Sequence, residues 1–202
     1  MKTIIITYYN SSNLLPVYTP FCIARFSNLG YEPEIMISRH NGKKNSHIAF
    51  LNFLDALELA NDEDILICED DTIMDVSKEE LLEKLDKSKM NRVVWNGRSF
   101  HYEPLAKKGL RLYNGVQAVY VPKNYVPVLI EHMKHARPVH LDMYFSYGHH
   151  PIKYHQGLGG ELLHKSGISP NPKLLQHLNS YIIEKGEVKR IYKKSRLKEF
   201  VE

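Results

Sequence analysis

Short apolar runs along the chain alternate with segments in which apolar residues recur at helical spacing. The runs lie at residues 4–7, 34–38, 65–68, 92–95 and 116–121. Each is apolar enough to be covered on both faces, which is typical of parallel strands joined by crossover helices. The pattern predicts an α/β protein with a mixed, mostly parallel sheet flanked by helices.

Two helices are predicted from their start signals. Ser46 is placed to cap the first, which ends before Asn61-Asp62. Its broad apolar face consists of Ile48, Phe50, Leu51, Phe53, Leu54 and Leu57. Ser77 and Glu80 form a capping box, since each side chain can bond the other's backbone N–H. The second helix therefore follows Ser77 and continues through Leu81, Leu82 and Leu85.

The second half of the chain is less regular. A helix is predicted over residues 124–134, with Val128, Leu129 and Met133 facing inward. Residues 149–160 contain Pro151 and three glycines. Such a composition predicts a loop.

Length and composition favour one soluble unit. The 202 residues are 43% hydrophobic and 25% charged, which suits a single domain over residues 1–202. No apolar stretch approaches the roughly 20 residues that a transmembrane helix needs. The N-terminus lacks the apolar region of a signal peptide. Two cysteines are too few for a disulfide framework, so we expect a cytoplasmic location.

The formal charge of +4 is unevenly distributed. Basic residues crowd a C-terminal segment of about residues 185–202, namely Lys185, Lys189, Arg190, Lys193, Lys194, Arg196 and Lys198. Such a segment can contact a phosphate-rich partner. A solvated terminal helix or a frayed tail explains the same pattern.

Three consecutive acids, Glu69-Asp70-Asp71, directly follow the apolar run at 65–68; we call them the acidic turn. In open α/β sheets, ligands bind beyond the carboxyl ends of the strands. Clustered carboxylates need a neutralising partner, and a divalent ion bridged to a diphosphate supplies one. Mg²⁺ or Mn²⁺ is therefore the expected cofactor. An ordinary acidic turn before a helix is the alternative.

One other acid-based chemistry can be excluded from the sequence. Phosphatases of the haloacid dehalogenase type need a nucleophilic aspartate two positions before a second aspartate. Glu69 occupies the first position of that pair here, and the residue two positions after Asp70 is Thr72. The acidic turn therefore lacks this nucleophile.

Several motifs resemble, in order, those of GT-A glycosyltransferases of the lipopolysaccharide-type glycosyltransferase family 25. Ser46-His47-Ile48 opens a helix, and Asp64 precedes the apolar run that leads to the acidic turn. Residues 114–121 resemble the family's Gly-led strand, and residues 138–142 resemble its later Pro-Val-Asp element. The resemblance covers roughly residues 46–142 and implies a GT-A, Rossmann-like fold.

The resemblance also implies an activity: metal-dependent transfer of a sugar from a nucleotide diphosphate donor, a UDP-sugar, to a saccharide hydroxyl. A variant is transfer to a hydroxylated base in DNA, as some bacteriophage enzymes do, which the basic C-terminal segment would suit. From a different class, the chain could be a non-catalytic nucleotide or nucleic-acid binding module. The donor sugar, the stereochemistry and the oligomeric state stay open.

The resemblance assigns roles to individual residues. Asp71 would bind the metal, and Asp70 would face the ribose or donor sugar. Glu69 would support the loop or share the metal through water. Of the histidines at 149, 150 and 155, His155 is chosen as the second metal ligand. The remaining donor-side residues are Thr7, Tyr8, Tyr9, Asn10, His47 and Gly115, where a tyrosine ring can stack on a pyrimidine. Strand-end packing explains residues 7–10 almost equally well.

Asp142 is the candidate catalytic base, because an acceptor hydroxyl must lose its proton as it attacks the anomeric carbon. If configuration is retained, Asp142 would instead orient the acceptor or stabilise positive charge at the anomeric centre. Capping of a helix that begins near Met143 is the structural alternative. Trp95, Asn96 and Arg98, which follow the fourth predicted strand, are candidates for the acceptor surface.

Overall fold

The computed structural model describes residues 1–7, 19–40, 43, 45–70, 72–74, 76–86, 93–100, 112–147, 152–155, 159–162, 180–184 and 187–191. The helices are α1 (Thr19–Asn28), α2 (Asn45–Glu58), α3 (Lys78–Asp86), α4 (Val126–His135) and α5 (Leu141–Tyr147). The strands are β1 (Lys2–Thr7), β2 (Glu34–Ile37), β3 (Ile65–Glu69), β4 (Thr72–Met74), β5 (Val93–Phe100), β6 (Leu112–Val121), β7 (Ile152–His155), β8 (Gly159–Leu162), β9 (Ser180–Glu184) and β10 (Glu187–Ile191).

The main sheet has six strands in the order β2-β1-β3-β6-β5-β7. β1 pairs in parallel with β2 and β3, and β5 pairs in parallel with β7. β6 is antiparallel to both of its neighbours. Five strands therefore run in one direction and β6 runs in the other, which confirms the predicted mixed, mostly parallel sheet.

Helices cover both faces of this sheet, because successive side chains of a strand point to opposite faces. One face packs Ile4, Ile67 and Val119 against α2, α4 and α5. The other face packs Ile5 and Cys68 against α1 and α3. The α/β class is thus confirmed, with β1 and β3 at the centre of two apolar clusters.

A smaller sheet continues from the acidic turn. Its strand order is β10-β9-β8-β4, and β4 begins at Thr72. β4 is antiparallel to β8, and Thr72 lies opposite Glu161. The chain therefore passes from the main sheet into the smaller one through the acidic turn.

Several boundary predictions hold and others are wrong. Glu80 N–H donates to Ser77 Oγ at 3.1 Å, which confirms the predicted cap of α3. α2 begins at Asn45, so Ser46 lies inside its first turn and is not the cap. In α4, Leu129 and Met133 are buried as predicted, but Val128 is 52% exposed. Val128 lies off the stripe that Leu129 and Met133 form at a spacing of four residues.

Strand β2 also departs from the prediction, since it is covered on one face only. Met36 is buried, whereas Ile35 and Ile37 are 39% and 51% exposed. β2 is the edge strand of the described sheet, and only its Met36 face packs into an apolar cluster, whereas Ile35 and Ile37 belong to neither cluster.

Two C-terminal predictions are wrong for the residues that the structure describes: the loop at 149–160, and the terminal helix or frayed tail of the basic segment. Within the predicted loop 149–160, residues 152–155 form β7 and β8 begins at Gly159. Within the basic segment, Lys189 and Arg190 lie in β10, which pairs with β9 as an antiparallel hairpin. Residues 192–202 lie outside the described part. None of the helices in the described part has the length and apolar character needed to span a bilayer.

Candidate functional site

The carboxyl ends of β1, β2, β3, β5 and β7 lie at one edge of the main sheet because these strands run in the same direction. We call this the carboxyl edge. Strand register places Ile5, Cys68, Ala118, Asn96 and His155 in one row across the sheet. Residues that follow this row on the five parallel strands point toward the ligand-binding edge of an open α/β sheet.

The acidic turn lies beyond the row at the end of β3. Glu69 is the last residue of β3, and Asp70 follows it in a turn. Both are partly buried. Thr7, the last residue of β1, donates from Oγ1 to Asp70 Oδ2 at 2.9 Å. The structure thus brings together two predicted donor-side residues that are 63 positions apart in the chain.

Two cysteines lie directly behind the acidic turn. Cys22 Sγ on α1 donates to the Glu69 carbonyl at 3.8 Å. Burial raises the pKa of the Cys68 thiol well above its usual range, and the Cys22 thiol and the Glu69 carboxylate raise it further. Cys68 is therefore a protonated thiol buried in the apolar core and not a nucleophile, because a nucleophilic cysteine needs a lowered pKa.

Ser38 and Asn52 support Thr7 from the adjacent strand and helix. Ser38 N–H donates to the Thr7 carbonyl at 2.9 Å. Asn52 Nδ2 donates to Ser38 Oγ at 2.8 Å, and Asn52 Oδ1 accepts from Arg39 N–H at 3.3 Å. The sequence interpretation missed both residues. A polar amide among the apolar positions of α2 is the signal that would have pointed to Asn52.

The segment after β2 has one more contact with α2. His40 Nε2 lies 2.9 Å from Asp55 Oδ2, and both side chains are about one-quarter to one-third exposed, at 25% and 31%. Asn52 and Asp55 are three residues apart and so lie on the same face of α2. Together they hold residues 38–40 against the helix at the carboxyl edge.

The proposed acceptor residues lie inside a strand and not after it. Trp95, Asn96 and Arg98 belong to β5, which continues four residues beyond the row to Phe100. Gly115 likewise lies within β6 and does not lead it. The β5–β6 register shifts on both sides of Gly97 and skips Gln117 and Gly115. Such bulges bend and twist a strand pair, so the two strands extend past the sheet as a curved ribbon.

His155 lies in β7 and Asp142 lies in the first turn of α5. His155 ends β7, three strand spacings from Cys68, or about 14 Å across the sheet. Asp142 is the second residue of α5, which begins at Leu141, so the idea that it caps a helix starting near Met143 is wrong. His47 is the third residue of α2 and is partly buried.

Four predicted site residues lie outside the described part of the chain: Tyr8, Tyr9, Asn10 and Asp71. Across the described residues, no three acidic, histidine or cysteine side chains group as a metal site. Glu69 and Asp70 nevertheless present carboxylate oxygens, the donor type that Mg²⁺ and Mn²⁺ prefer. The donor chemistry of the acidic turn therefore fits a hard divalent cation, with Asp71 as the expected third carboxylate.

Comparisons with known proteins identify the fold. No protein-family model matches the sequence, and no curated protein matches it. The chain is similar to the structure of a glycosyltransferase involved in the glycosylation of the major capsid of PBCV-1, with a TM-score of 0.51 and 11% identity. That match covers 77% of this chain and 82% of the other. At this identity the match shows a shared fold.

Two further structures are similar with TM-scores below 0.5. One is CMP:2-keto-3-deoxy-manno-octonic acid synthetase complexed with CTP, with a TM-score of 0.47, 9% identity and coverage of 79% of this chain and 90% of that one. The other is 4-diphosphocytidyl-2C-methyl-D-erythritol synthase from Anaerococcus prevotii, with a TM-score of 0.46, 13% identity and coverage of 77% and 88%.

Proposed function

We propose that this chain is a metal-dependent glycosyltransferase that moves a sugar from a nucleotide diphosphate donor, a UDP-sugar, to an acceptor hydroxyl. The contact between Thr7 Oγ1 and Asp70 Oδ2 carries the proposal, because it joins the ends of β1 and β3 beside three consecutive acids. The PBCV-1 protein of similar fold is itself a glycosyltransferase. The family 25 motifs in the sequence support the same reaction.

The acidic turn would hold Mn²⁺ or Mg²⁺, with Asp71 as the direct ligand and Glu69 beside it. The cation supplies Lewis-acid neutralisation of the charge that develops on the leaving phosphate. Asp70, held by Thr7, would hydrogen-bond the ribose or the donor sugar. His155, the last residue of β7, remains the proposed second ligand.

The other residues are assigned by the element that they belong to or follow in the sequence. Tyr8, Tyr9 and Asn10 directly follow β1, and His47 lies in the first turn of α2, so we assign all four to the donor. Asp142 would accept the proton of the acceptor hydroxyl. The ribbon of β5 and β6, with Trp95, Asn96, Arg98 and Gly115, would form the acceptor surface. The proposed acceptor is either a saccharide or a hydroxylated base in DNA.

A thermal-shift panel tests the class of function. The protein is heated with UDP-, GDP-, CMP- and dTDP-linked sugars, each with Mn²⁺, with Mg²⁺ or with EDTA. A ligand at about 100 times its dissociation constant stabilises the fold by about 2.7 kcal/mol, which raises the Tm of a chain of this size by about 5–10 °C. We expect one UDP-sugar to give this shift with metal and to lose it with EDTA.

The matched control is Glu32→Gln, since Glu32 is an exposed acid at the opposite edge of the sheet. This variant should keep the metal-dependent shift. If no nucleotide sugar shifts the Tm while duplex DNA does, the chain is a nucleic-acid binding module and the proposal fails. A shift of equal size in EDTA would remove the metal from the proposal.

A further inference from the structure

Strand β1 carries two buried threonines on the same face, Thr3 and Thr7, which differ in what their hydroxyls do. Thr7 is fully buried, and its hydroxyl donates to Asp70. Thr3 is 3% exposed, and its hydroxyl has no hydrogen-bond partner among the described residues. Of the two threonines on this face of β1, therefore, Thr7 at the carboxyl end is hydrogen-bonded to the acidic turn and Thr3 at the amino end is not.

The Thr7 end is reinforced by a second layer of buried polar groups. Asn52 is fully buried, and Ser38 is 4% exposed. Both polar atoms of the Asn52 side chain are used, one on Ser38 Oγ and one on Arg39 N–H. Ser38 N–H in turn fixes the Thr7 carbonyl. A continuous series of hydrogen-bonded residues thus connects α2, through the end of β2 and β1, to the turn after β3.

Asn52 occupies a costly position for a polar residue. Its neighbours on α2 include Phe50, Phe53 and Ala56, which are buried in the larger apolar cluster. Asparagine is a weaker helix former than leucine, and its side-chain amide must be hydrogen-bonded when it is buried. Buried polar networks that are fully satisfied hold one arrangement of the chain in preference to others.

We propose that Asn52 and Ser38 are positioning residues that, through Thr7, fix the Asp70 carboxylate at the carboxyl edge. Asn52 holds the backbone of residues 38 and 39, Ser38 holds the backbone of Thr7, and the Thr7 hydroxyl holds Asp70. The donor would then meet a pre-oriented carboxylate, which lowers the entropy cost of binding. The role of these residues in donor binding rests on the proposed function. Their role in fixing the Asp70 carboxylate does not depend on it.

Amide hydrogen exchange of the free protein, read by NMR over residues 69–74, tests the fixed turn without any ligand. The variants are Thr7→Val, Ser38→Ala and Asn52→Leu, with Thr7→Ser as the conservative rescue and Thr3→Val as the matched control. Exchange at 69–74 should rise at least about fivefold in the first three, because Thr7→Val and Ser38→Ala each lose one hydrogen bond and Asn52→Leu loses two. It should stay at the wild-type rate in the last two.

Residues 118–121 of β6 serve as an internal reference, because general loss of stability would raise exchange there as well. In a double-mutant cycle, Thr7→Val with Asn52→Leu should give no larger increase than the stronger single variant, since the two act through each other. Unchanged exchange at 69–74 in Ser38→Ala and Asn52→Leu would overturn the inference, and so would additive effects. If Asn52→Leu does not fold, Ser38→Ala alone decides.

A second readout links the turn to the ligand. Affinity for UDP with Mn²⁺, measured by calorimetry on folded protein well below the Tm, should fall about fivefold in Thr7→Val and Asn52→Leu and recover in Thr7→Ser. Wild-type affinity in Asn52→Leu, despite a loosened turn, would overturn the positioning role. If wild-type protein binds no UDP but the exchange pattern holds, the proposed function fails while the fixed turn stands.

Discussion

The two ends of the central strands β1 and β3 handle acidic residues differently. At the amino end, the Met1 amine lies 3.3 Å from Glu63 and Lys2 Nζ lies 3.2 Å from Glu34. At the carboxyl end, three acids follow one another along the chain, and a neutral hydroxyl, Thr7, donates to Asp70. Glu63 and Glu34 at the amino end therefore lie against cations of the protein, whereas Asp70 at the carboxyl end accepts from a neutral hydroxyl.

Asp64 shows what an acid does at the amino end. Its two carboxylate oxygens accept from the Tyr120 hydroxyl and from Lys123 N–H, each at 2.9 Å. Its carbonyl accepts from Lys2 N–H at 2.9 Å. Asp64 therefore joins β1, β3 and β6 and serves the fold. With the proposed function, the comparison predicts that acids only five to seven residues apart in sequence divide between stabilising the fold and binding a ligand.

The largest effect that would test this division is the loss of Asp71. Because the proposed function assigns the cation to Asp71, Asp71→Ala should lower sugar transfer by at least about 100-fold while the free protein keeps its Tm. Transfer from the donor found in the thermal-shift panel is the measurement, with Glu32→Gln as the control at the opposite edge. Full turnover in Asp71→Ala would refute the assignment of the metal to the acidic turn.

Asp64→Ala should have the opposite signature. The loss of two accepted hydrogen bonds should lower the free energy of unfolding by about 1–3 kcal/mol, measured by urea denaturation. Donor affinity at a temperature where the variant is fully folded should match the wild type. A selective loss of donor affinity with unchanged stability would show that Asp64 belongs to the site, and the proposed division between the two ends would fail.

The parts of the fold that the sequence predicts best are those buried on both faces. Ile4, Ile5 and Ile6 of β1 and Ile65 and Leu66 of β3 are nearly inaccessible, and their continuous apolar runs mark the two strands correctly. Strands β7 and β8 were missed because their partners, β5 and β4, are distant in sequence and the local residues resemble a loop. Strand propensity depends strongly on such pairing.

The candidate site follows the same logic. Strand-end position predicted that Thr7 and Asp70 would lie at one edge, and the structure shows in addition a hydrogen bond between them that the sequence analysis had not predicted. Strand-end position could not predict the roles of Ser38 and Asn52, because these roles depend on how α2 packs on β2. Nor could spacing reveal that Gly115 lies at a bulge within β6, since the bulge exists only relative to the register of β5.

The smallest predicted effect concerns the amino-end threonine. Thr3→Val replaces a buried hydroxyl, which has no partner in the described part of the chain, with a methyl group of similar shape. Removing an unsatisfied buried polar group should raise the free energy of unfolding by about 1 kcal/mol, measured by urea denaturation with an unchanged slope. Thr7→Val should lower it, because its hydroxyl is bonded to Asp70. Opposite signs for one substitution on one strand face would locate the polar function of β1 at its carboxyl end. A destabilising Thr3→Val would show instead that hydroxyls are used at both ends, and the contrast between the two ends would then rest on their acids alone.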